Sequence, residues 1–407
     1  MNYKRILSLS QVITSVLFVS CSNHEPTEVT PHVEAMKSPA GVNSSEPDLH
    51  VGIDGIVYLS WVETDENSNS SLYYSTIENN EWSKLSKVSE GDNWFVNWAD
   101  FPSISSFGNG SIASHFLVET DKETYAYDVN ISISNDKGLS WSKPFTPHTD
   151  GTPTEHGFVS MVPYKDKILA VWLDGRNYFI INENDTIPTD EMTLRSAVID
   201  KNGQLSKELL IDGRVCSCCQ TDAALVSTGP ILVYRDRLEK EIRDISIVRL
   251  INGKWTEPQS VFSDNWEIAG CPVNGPAIAA KEDLVAVAWF TAANDVSKIK
   301  VAFSTNGGNT FEAAIVISDS NPTGRVDLIL FDDGSAMVSW LEPSGDETMI
   351  KACRINQDGS LGKSIIVAKS SESRSSGFPK MVIKNDTVYF AWTETGEALS
   401  VKTAYLN

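Results

Sequence analysis

Amphipathic helix periodicity is almost absent from this sequence. After residue 25, no window of about 12 residues keeps apolar side chains at the i, i+3, i+4 and i+7 positions that one helix face requires. The 17 prolines and 25 glycines are spread through short polar segments that separate apolar runs. The sequence therefore argues against an all-α protein and predicts an all-β one.

Basic residues are also scarce. The 33 lysines and arginines stand against 54 acidic residues, which gives a net charge of −21, and no long basic run occurs. Nucleic acids and anionic lipid surfaces attract basic patches, so the composition argues against a nucleic-acid partner and against direct binding to anionic membranes. We expect a soluble, exported and monomeric body.

No apolar run is long enough to span a bilayer. The apolar segment 6–19 follows Lys4 and Arg5, and it is too short and too interrupted by serine for a membrane span. It ends at Ser20 and Cys21, which resembles a bacterial lipoprotein cleavage site. We expect residues 1–21 to be a signal peptide with Cys21 as the lipidated residue; ordinary signal-peptidase cleavage is the alternative.

The next segment, 22–47, is rich in Pro, Ser, Glu and Asn and is typical of a tether. A lipidated Cys21 would make the membrane a partner through acyl chains. The expected location is the bacterial cell envelope, either periplasmic or surface-exposed. Residues 48–407 then form a single domain.

One short phrase recurs seven times in that domain. Each copy is an apolar strand that ends in a large side chain, and successive copies are 51 to 62 residues apart. The closing residues are Trp61, Phe116, Trp172, Tyr234, Trp289, Trp340 and Trp392. Repeats of about this length are typical of propellers and solenoids, in which no unit buries its apolar face alone.

Each unit holds four short strands, because polar Asn- and Gly-containing hairpins follow six of the seven phrases. The prediction is a β-propeller of seven four-stranded blades; six blades result if two units merge. The seventh unit ends early at Asn407, which leaves one blade without its outer strand. We expect the segment 29–36 to supply that strand and to close the ring.

The direction of the strands places the residues that could carry chemistry on one face of such a propeller. The loops between blades and the loops after each second strand emerge together, and they carry arginine, carboxylate, histidine and cysteine from several blades. Convergent polar groups at a propeller mouth are the default site hypothesis. Paired charges such as Arg235 with Asp236 also fit a purely structural role between blades.

The cysteines are the most specific local feature. Cys216, Cys218 and Cys219 lie within four residues, and Cys271 opens the next blade at an equivalent position. One alternative is a disulfide from Cys271 to one of the three, which would join adjacent blades. Another is a soft metal, Cu(I) or Zn(II), held by these thiolates with His156. A redox-active thiol is the third.

Two hairpins carry a known motif. The segment Ser134–Trp141 matches the Asp-box pattern Ser-x-Asp-x-Gly-x-x-Trp at every fixed position, and Ser304–Phe311 is a degenerate copy at the same phase of its blade. The chain therefore resembles the sialidase-like superfamily of Asp-box propellers over residues 48–407. This resemblance is specific for the fold.

The resemblance also implies a chemistry. Sialidases hold a sugar carboxylate with arginines, and they use a tyrosine nucleophile with a glutamate and an aspartate acid/base. Carried onto this mouth, Asp100 would be the acid, Glu155 the base and Tyr234 the nucleophile. The residues that could bind a carboxylate or other ligand atoms are Arg176, Arg235, Arg243, Arg325 and Asn274.

The leading hypothesis is a lipid-anchored propeller whose mouth binds an acidic glycan, such as a sialylated one, or a thiolate-held Cu or Zn ion. A sialidase-type hydrolase is the alternative, so the sequence leaves open whether the protein is an enzyme. A protein-binding surface scaffold with disulfide-joined blades is the second alternative.

Overall fold

The computed structural model describes residues 32–108, 110–122, 125–179 and 191–407. The predicted signal peptide with Cys21, and the tether up to residue 31, lie outside these residues. The described residues hold four 3-10 helices and no α-helix; the 3-10 helices are Arg176–Phe179, Glu239–Glu241, Ala293–Asp295 and Arg374–Ser376. Among the described residues, no helix is long and apolar enough to cross a membrane.

The strands of the described residues form seven separate antiparallel sheets. The first strand of the chain, β1 (Glu34–Met36), joins the last sheet. Blade 1 contains β2 (Ser44–Val51), β3 (Val57–Thr64), β4 (Ser70–Glu78), β5 (Glu81–Trp82) and β6 (Ser86–Gly91). Blade 2 contains β7 (Ser103–Gly108), β8 (Ser111–Glu119) and β9 (Tyr127–Ser134). Blade 3 contains β10 (His156–Tyr164), β11 (Lys167–Asp174), β12 (Met192–Ile199) and β13 (Leu209–Val215).

The remaining blades repeat this order. Blade 4 contains β14 (Asp222–Val226), β15 (Gly229–Arg235), β16 (Ile245–Ile251), β17 (Lys254–Trp255) and β18 (Gln259–Ser260). Blade 5 contains β19 (Ala277–Lys281), β20 (Leu284–Thr291), β21 (Lys298–Ser304) and β22 (Ile315–Ser318). Blade 6 contains β23 (Gly324–Leu330), β24 (Ala336–Ser344), β25 (Glu347–Ile355) and β26 (Ile365–Ser370). Blade 7 contains β27 (Lys380–Lys384), β28 (Thr387–Glu394) and β29 (Ser400–Leu406).

The first strand of every blade lies on the inside. These strands, β2, β7, β10, β14, β19, β23 and β27, contact one another in a closed circle. The predicted all-β propeller of seven blades is therefore confirmed. In blade 2, a bridge between Ile131 and Phe145 takes the place of a longer outer strand. The inner strand of blade 1 begins at Ser44, four residues before the predicted start of the domain.

The repeated aromatic residues form the core between blades. All seven closing side chains are buried on the second strand of their blade. Several also use their polar atom in the same way. The indole N–H groups of Trp61, Trp172 and Trp340 each donate to the carboxylate two residues further on, at 2.8, 2.9 and 2.8 Å. A polar atom on a buried ring needs such a partner, so these pairs explain why acidic residues follow the phrase.

Side-chain oxygens tie neighbouring inner strands together. Asp222 accepts a hydrogen bond from the Ile278 amide at 2.8 Å, and Asp327 accepts one from Met381 at 2.6 Å. The amide of Arg325 donates to Asn274 Oδ1 at 2.7 Å. Each bond crosses from one blade to the next. The inner ring is therefore held by polar contacts as well as by the apolar core.

The N-terminal segment closes the ring. Strand β1 pairs with β29 in antiparallel register, with Ala35 opposite Ala404. The hydroxyl of Thr403 donates to the Met36 carbonyl at 3.2 Å, and Met36 packs against the core shared by blades 1 and 7. Blade 7 thus receives its outer strand from the start of the chain, and β29 is not left as an open edge.

The two motif hairpins have the same hydrogen bonds. Ser134 Oγ donates to Asp136 Oδ1 at 2.8 Å, and the Gly138 amide returns a bond to Ser134 Oγ at 2.8 Å. In the second hairpin Ser304 Oγ donates to Asn306 Oδ1 at 2.9 Å, and the Gly308 amide donates to Ser304 Oγ at 3.0 Å. Asn306 therefore reproduces the acceptor role of the aspartate in the degenerate copy.

Candidate functional site

Three thiols meet in the turn between β13 and β14. Cys216 Sγ lies 3.8 Å from Cys218 Sγ and 3.6 Å from Cys219 Sγ, and all three sulfurs lie within 4.8 Å of one another. Cys216 and Cys219 are buried, and Cys218 is half-buried. None of the five cysteines in the described part of the chain is in a disulfide. We call Cys216, Cys218 and Cys219 the thiol cluster.

Hydrogen-bond donors surround the thiol cluster. Arg243 Nη1 lies 3.3 Å from Cys216 Sγ, and the Asn274 amide donates to Cys219 Sγ at 3.4 Å. Hydrogen bonds from Cys218 and Cys219 hold the pKa of Cys216 well below its usual range. Hydrogen bonding to Cys216 raises the pKa of Cys218, and burial is the main cause of the raised pKa of Cys219. The cluster thus favours one shared thiolate at Cys216.

Arg235 brings a second positive charge beside these sulfurs. Its guanidinium is buried, donates to the carbonyls of Asn274, Arg243 and Phe290, and stacks 4.9 Å from the Trp266 ring centroid. None of these hydrogen bonds goes to a carboxylate. Its charge therefore remains available to favour thiolates, and it acts to lower the pKa of Cys216.

Cys271 reaches the thiol cluster from the next blade. It is exposed, and its Sγ lies 3.9 Å from Ser217 Oγ. A hydrogen bond from Cys218 lowers the pKa of Cys271 to about 6. The sequence-based expectation that Cys271 approaches the other three cysteines across the blade boundary agrees with this geometry.

A second group lies at the mouth beside Cys271. The Tyr127 hydroxyl lies 3.0 Å from Glu155 Oε1 and 3.3 Å from Asp100 Oδ2. Burial raises the pKa of Asp100 to about 7 and that of Glu155 to about 8, and negative charge at Cys271 adds to the effect on Glu155. These two carboxyl groups can therefore hold protons near neutral pH.

Tyr127 was not among the predicted site residues. The structure places the predicted nucleophile, Tyr234, elsewhere: its hydroxyl donates to Asp212 at 2.6 Å, and its ring is buried as the equivalent tryptophans are. Tyr127 begins β9, the third strand of its blade, and no local pattern marks that position as part of a site. A bridge between Tyr127 and Glu155 across two blades brings it there.

The four predicted arginines are each held by partners inside the protein. Arg325 donates to Ser376 Oγ at 2.6 Å and to the Gly377 carbonyl at 2.9 Å, and it stacks on Trp98. Arg176 pairs with carboxylates on blade 3 and with Asp150. Arg243 pairs with Glu241 and Cys216, and Arg235 bonds only carbonyls. The structure does not present them as a free clamp for a sugar carboxylate.

His156 is not part of the thiol cluster, which corrects the predicted ligand set. Its ring stacks on His148 with centroids 3.9 Å apart and planes 3° from parallel. Asp128 and Asp150 lie at the two edges of this pair, each 3.3 Å from a His156 nitrogen. Ligand atoms of Asp128, His148 and His156, and separately of Asp150, His156 and Asp174, lie within 4.8 Å of one another. His156 therefore belongs to a carboxylate–histidine group that is separate from the thiol cluster.

The histidine pair predicts a pH dependence. Burial lowers the pKa of His156, but hydrogen bonds to Asp128 and Asp150, and the charge of Asp174, outweigh burial and raise it to about 10. Protonated His156 therefore contributes to the free energy of unfolding. This contribution is fully present below the pKa of ~6.5 that histidine has in the unfolded chain, and it is lost as the pH rises through about 10. We expect the stability advantage of the wild type over His156→Gln to shrink by about 4 kcal/mol between pH 7 and 10.

Denaturant unfolding at a series of pH values measures that advantage. His115→Gln is the matched control, because burial lowers the pKa of His115 to about 3 and it stays neutral over this range. Its effect on the free energy of unfolding should not change with pH. A His156→Gln effect that is equally constant would contradict the charge-pairing role.

Asn274 and Gln220 connect the parts of the mouth. Asn274 contacts the thiol cluster through its amide and Arg325 through its side chain. Gln220, the residue after the thiol cluster, donates to the Ala99 carbonyl beside Asp100 and accepts from the Gly275 amide at 3.1 Å. The thiol cluster, Arg325 and the Asp100 group are thus parts of one connected mouth, as the strand polarity predicts.

Sequence comparisons identify no relative: no protein-family profile matches the chain, and no curated protein sequence matches it. Solved structures do match in fold. The polysaccharide lyase Uly1 aligns over 92% of this chain and 91% of its own, with TM-score 0.50 and 8% identity. The NanB sialidase of Streptococcus pneumoniae aligns over 92% and 94%, with TM-score 0.49 and 10% identity. A Dyadobacter fermentans protein of unknown function aligns over 93% and 98%, with TM-score 0.49 and 14% identity.

The similar structures include sialidases, an alpha-L-arabinanase and polysaccharide lyases. At such identities the likeness concerns the fold alone. The architecture is that of a seven-bladed β-propeller, and the chemistry of this chain is argued below from the residues at its own mouth.

Proposed function

We propose that this protein binds one soft metal ion, Cu(I) in preference to Zn(II), through the thiol cluster at the propeller mouth. The spacing of the sulfurs is the observation that carries the proposal. Metal–sulfur bonds of about 2.3 Å set ligand sulfurs about 3.8 Å apart in a tetrahedral site and about 4.0 Å apart in a trigonal one. The distances from Cys216 Sγ to the other two sulfurs, 3.8 and 3.6 Å, are close to these sulfur–sulfur distances.

The number of sulfurs in the thiol cluster favours Cu(I). Three thiolates complete a trigonal site, whereas a structural Zn(II) site is almost always four-coordinate and would need one more ligand. Arg235 adds positive charge beside these thiolates, while the charge of Arg243 is already paired with Glu241 at 2.8 Å. Thiolates are also ligands that Cu(I) prefers. Arg243 and the Asn274 amide would donate hydrogen bonds to the ligand sulfurs from outside the shell of metal ligands, which would stabilise the thiolates.

Metal binding by the full chain, purified without oxygen, tests this proposal. Titration with Cu(I) against a competing chelator should give one tightly bound ion per chain. Cys218→Ser should weaken the affinity by at least about 100-fold, at or beyond the upper end of the 10–100-fold effects of substitutions outside the ligand shell. Cys353→Ala is the matched control, because Cys353 is buried on β25 and its sulfur contacts the Arg354 and Gly362 carbonyls.

Two results would overturn the metal proposal. One is a folded wild-type chain that binds no Cu(I) when its thiols are reduced. The other is a disulfide between Cys271 and the cluster in protein from its native compartment, found by peptide mapping without reductant. That second result would instead support the blade-joining disulfide.

We also propose that the protein acts in the bacterial cell envelope, anchored through Cys21. The basis is the N-terminal pattern alone, since Cys21 lies outside the described residues. Labelling with a radioactive fatty acid, lost in Cys21→Ser, tests the anchor.

A second candidate function is hydrolysis of an acidic glycoside, and the Tyr127 group favours it. A tyrosine between Glu155 and Asp100 is the combination that the sialidase resemblance implies, with Tyr127 in place of Tyr234. Two observations weigh against it: the Tyr127 side chain is buried, and the arginines are engaged by internal partners. Turnover of a fluorogenic sialoside or uronide that Tyr127→Phe abolishes would decide for this function.

A further inference from the structure

The four cysteines of the mouth differ in access to solvent. Cys216 and Cys219 are 1% and 2% exposed, Cys218 is half-buried, and Cys271 is exposed. Three of them belong to one turn, whereas Cys271 belongs to the loop that leads into blade 5. An incoming molecule can therefore reach Cys271 before it reaches the buried sulfurs.

The loop that carries Cys271 is anchored three residues to either side of it. Asn274 is held through its amide, its carbonyl and its side chain, by Cys219, Arg235 and the Thr323 carbonyl. On the other side, the Ile268 amide donates to the Glu241 carbonyl at 3.0 Å. Between these anchors the chain is loosely packed, since a side chain added at Gly270 would meet only one atom, at 3.9 Å. This packing lets the Cys271 sulfur move toward or away from the thiol cluster.

We infer that Cys271 is the exchange ligand of the metal site, and that its partner is a thiol carrier that delivers or removes Cu(I) as a thiolate complex. This inference rests on the proposed metal-binding function. It assigns the three cluster thiols to holding the ion and Cys271 to its transfer.

The exchange involves no oxidation or reduction. The Cys271 thiolate forms a bond to the Cu(I) of the carrier, and one carrier sulfur leaves and takes up a proton. Cys218 is the cluster thiol that contacts Cys271, so it binds next and releases its proton to solvent. Cys216, as the thiolate, then replaces Cys271. Cys219 replaces the last carrier sulfur, which takes up the proton that Cys219 loses, and removal of the ion reverses these steps.

Transfer kinetics test the inference. The full chain is mixed with Cu(I)–glutathione, and transfer is followed in both directions by rapid mixing. Cys271→Ser should keep one bound ion per chain but slow both transfers by at least about tenfold, because access controls the rate of thiolate exchange. Cys353→Ala should transfer at the wild-type rate, and Ser217→Ala tests whether any change beside the cluster has the same effect.

Each outcome has a defined meaning. Equal rates in Cys271→Ser and wild type would overturn the exchange role and leave the metal site intact. Loss of tight binding in Cys271→Ser would also overturn it, because Cys271 would then be a holding ligand. Failure of the wild type to bind Cu(I) would overturn the proposed function itself, and slow transfer in Ser217→Ala would show that the effect is not specific to the thiol.

Discussion

Arg235→Ala is expected to destabilise the fold by about 4 kcal/mol. The buried Arg235 side chain makes four hydrogen bonds to three carbonyls, and those carbonyls would lose their partner. Hydrogen bonds to a charged group contribute about 1.5–3 kcal/mol each, but the variant no longer buries a guanidinium charge, so the net loss is smaller than the sum of the four bonds. Denaturant or thermal unfolding of the purified variant measures the loss.

Two further variants show whether the loss comes from the hydrogen bonds of the buried Arg235 guanidinium. Arg235→Lys keeps the charge but not the planar fork, so we expect an intermediate loss. Arg214→Ala is the control, because Arg214 forms a partly exposed ion pair with Glu241 at 3.1 Å and should contribute less than ~1 kcal/mol. An Arg235→Ala protein with wild-type stability would contradict the structural role and return Arg235 to the list of ligand-binding residues.

Deletion of residues 25–40 is expected to destabilise the propeller by about 5 kcal/mol and to make it prone to aggregation. The deletion removes β1, its pairing with β29, and the packing of Met36 against the core of blades 1 and 7. It also removes Glu34 Oε2, which lies 2.5 Å from the Tyr405 hydroxyl. The exposed β29 would then offer a free edge to other chains.

The melting temperature measures the loss of stability, and light scattering measures the aggregation. Deletion of residues 22–31 is the matched control, since it shortens the same segment and leaves β1 in place. The control should melt close to the wild type. If both deletions melt at the wild-type temperature, the ring is closed without β1.

Much of the fold could be predicted because each repeat can be recognised from a short stretch of sequence. A strand that ends in Trp61 or its equivalents, followed by a polar hairpin, defines a blade without any knowledge of its neighbours. Burial then follows, since each such strand consists mainly of apolar and small residues. The seven-bladed count and the strand missing from the last blade both came from this pattern.

The site was predicted only in outline. Strand polarity predicts Asp100 and Glu155 at one mouth, and both carboxyl groups lie within 3.3 Å of the Tyr127 hydroxyl. It also predicts Cys271 near the thiol cluster, and the Cys271 sulfur lies 3.9 Å from Ser217 Oγ. It could not identify Tyr127, because nothing local distinguishes that tyrosine from others on third strands. It also grouped His156 with the cysteines, whereas Asp128, Asp150 and His148 hold it in a separate pair.

The sequence by itself determined the architecture of this protein, because the repeat, the turns and the apolar strands act over a few residues. Only the tertiary structure decided which polar groups are free to do chemistry. Arg235 meets carbonyls 39 and 55 residues away, and Tyr127 meets Asp100 and Glu155 27 and 28 residues away on either side. Such distant partners decide whether an arginine can bind a ligand or is used up in structural hydrogen bonds. Closure of the ring of blades brings the arginine and these partners together.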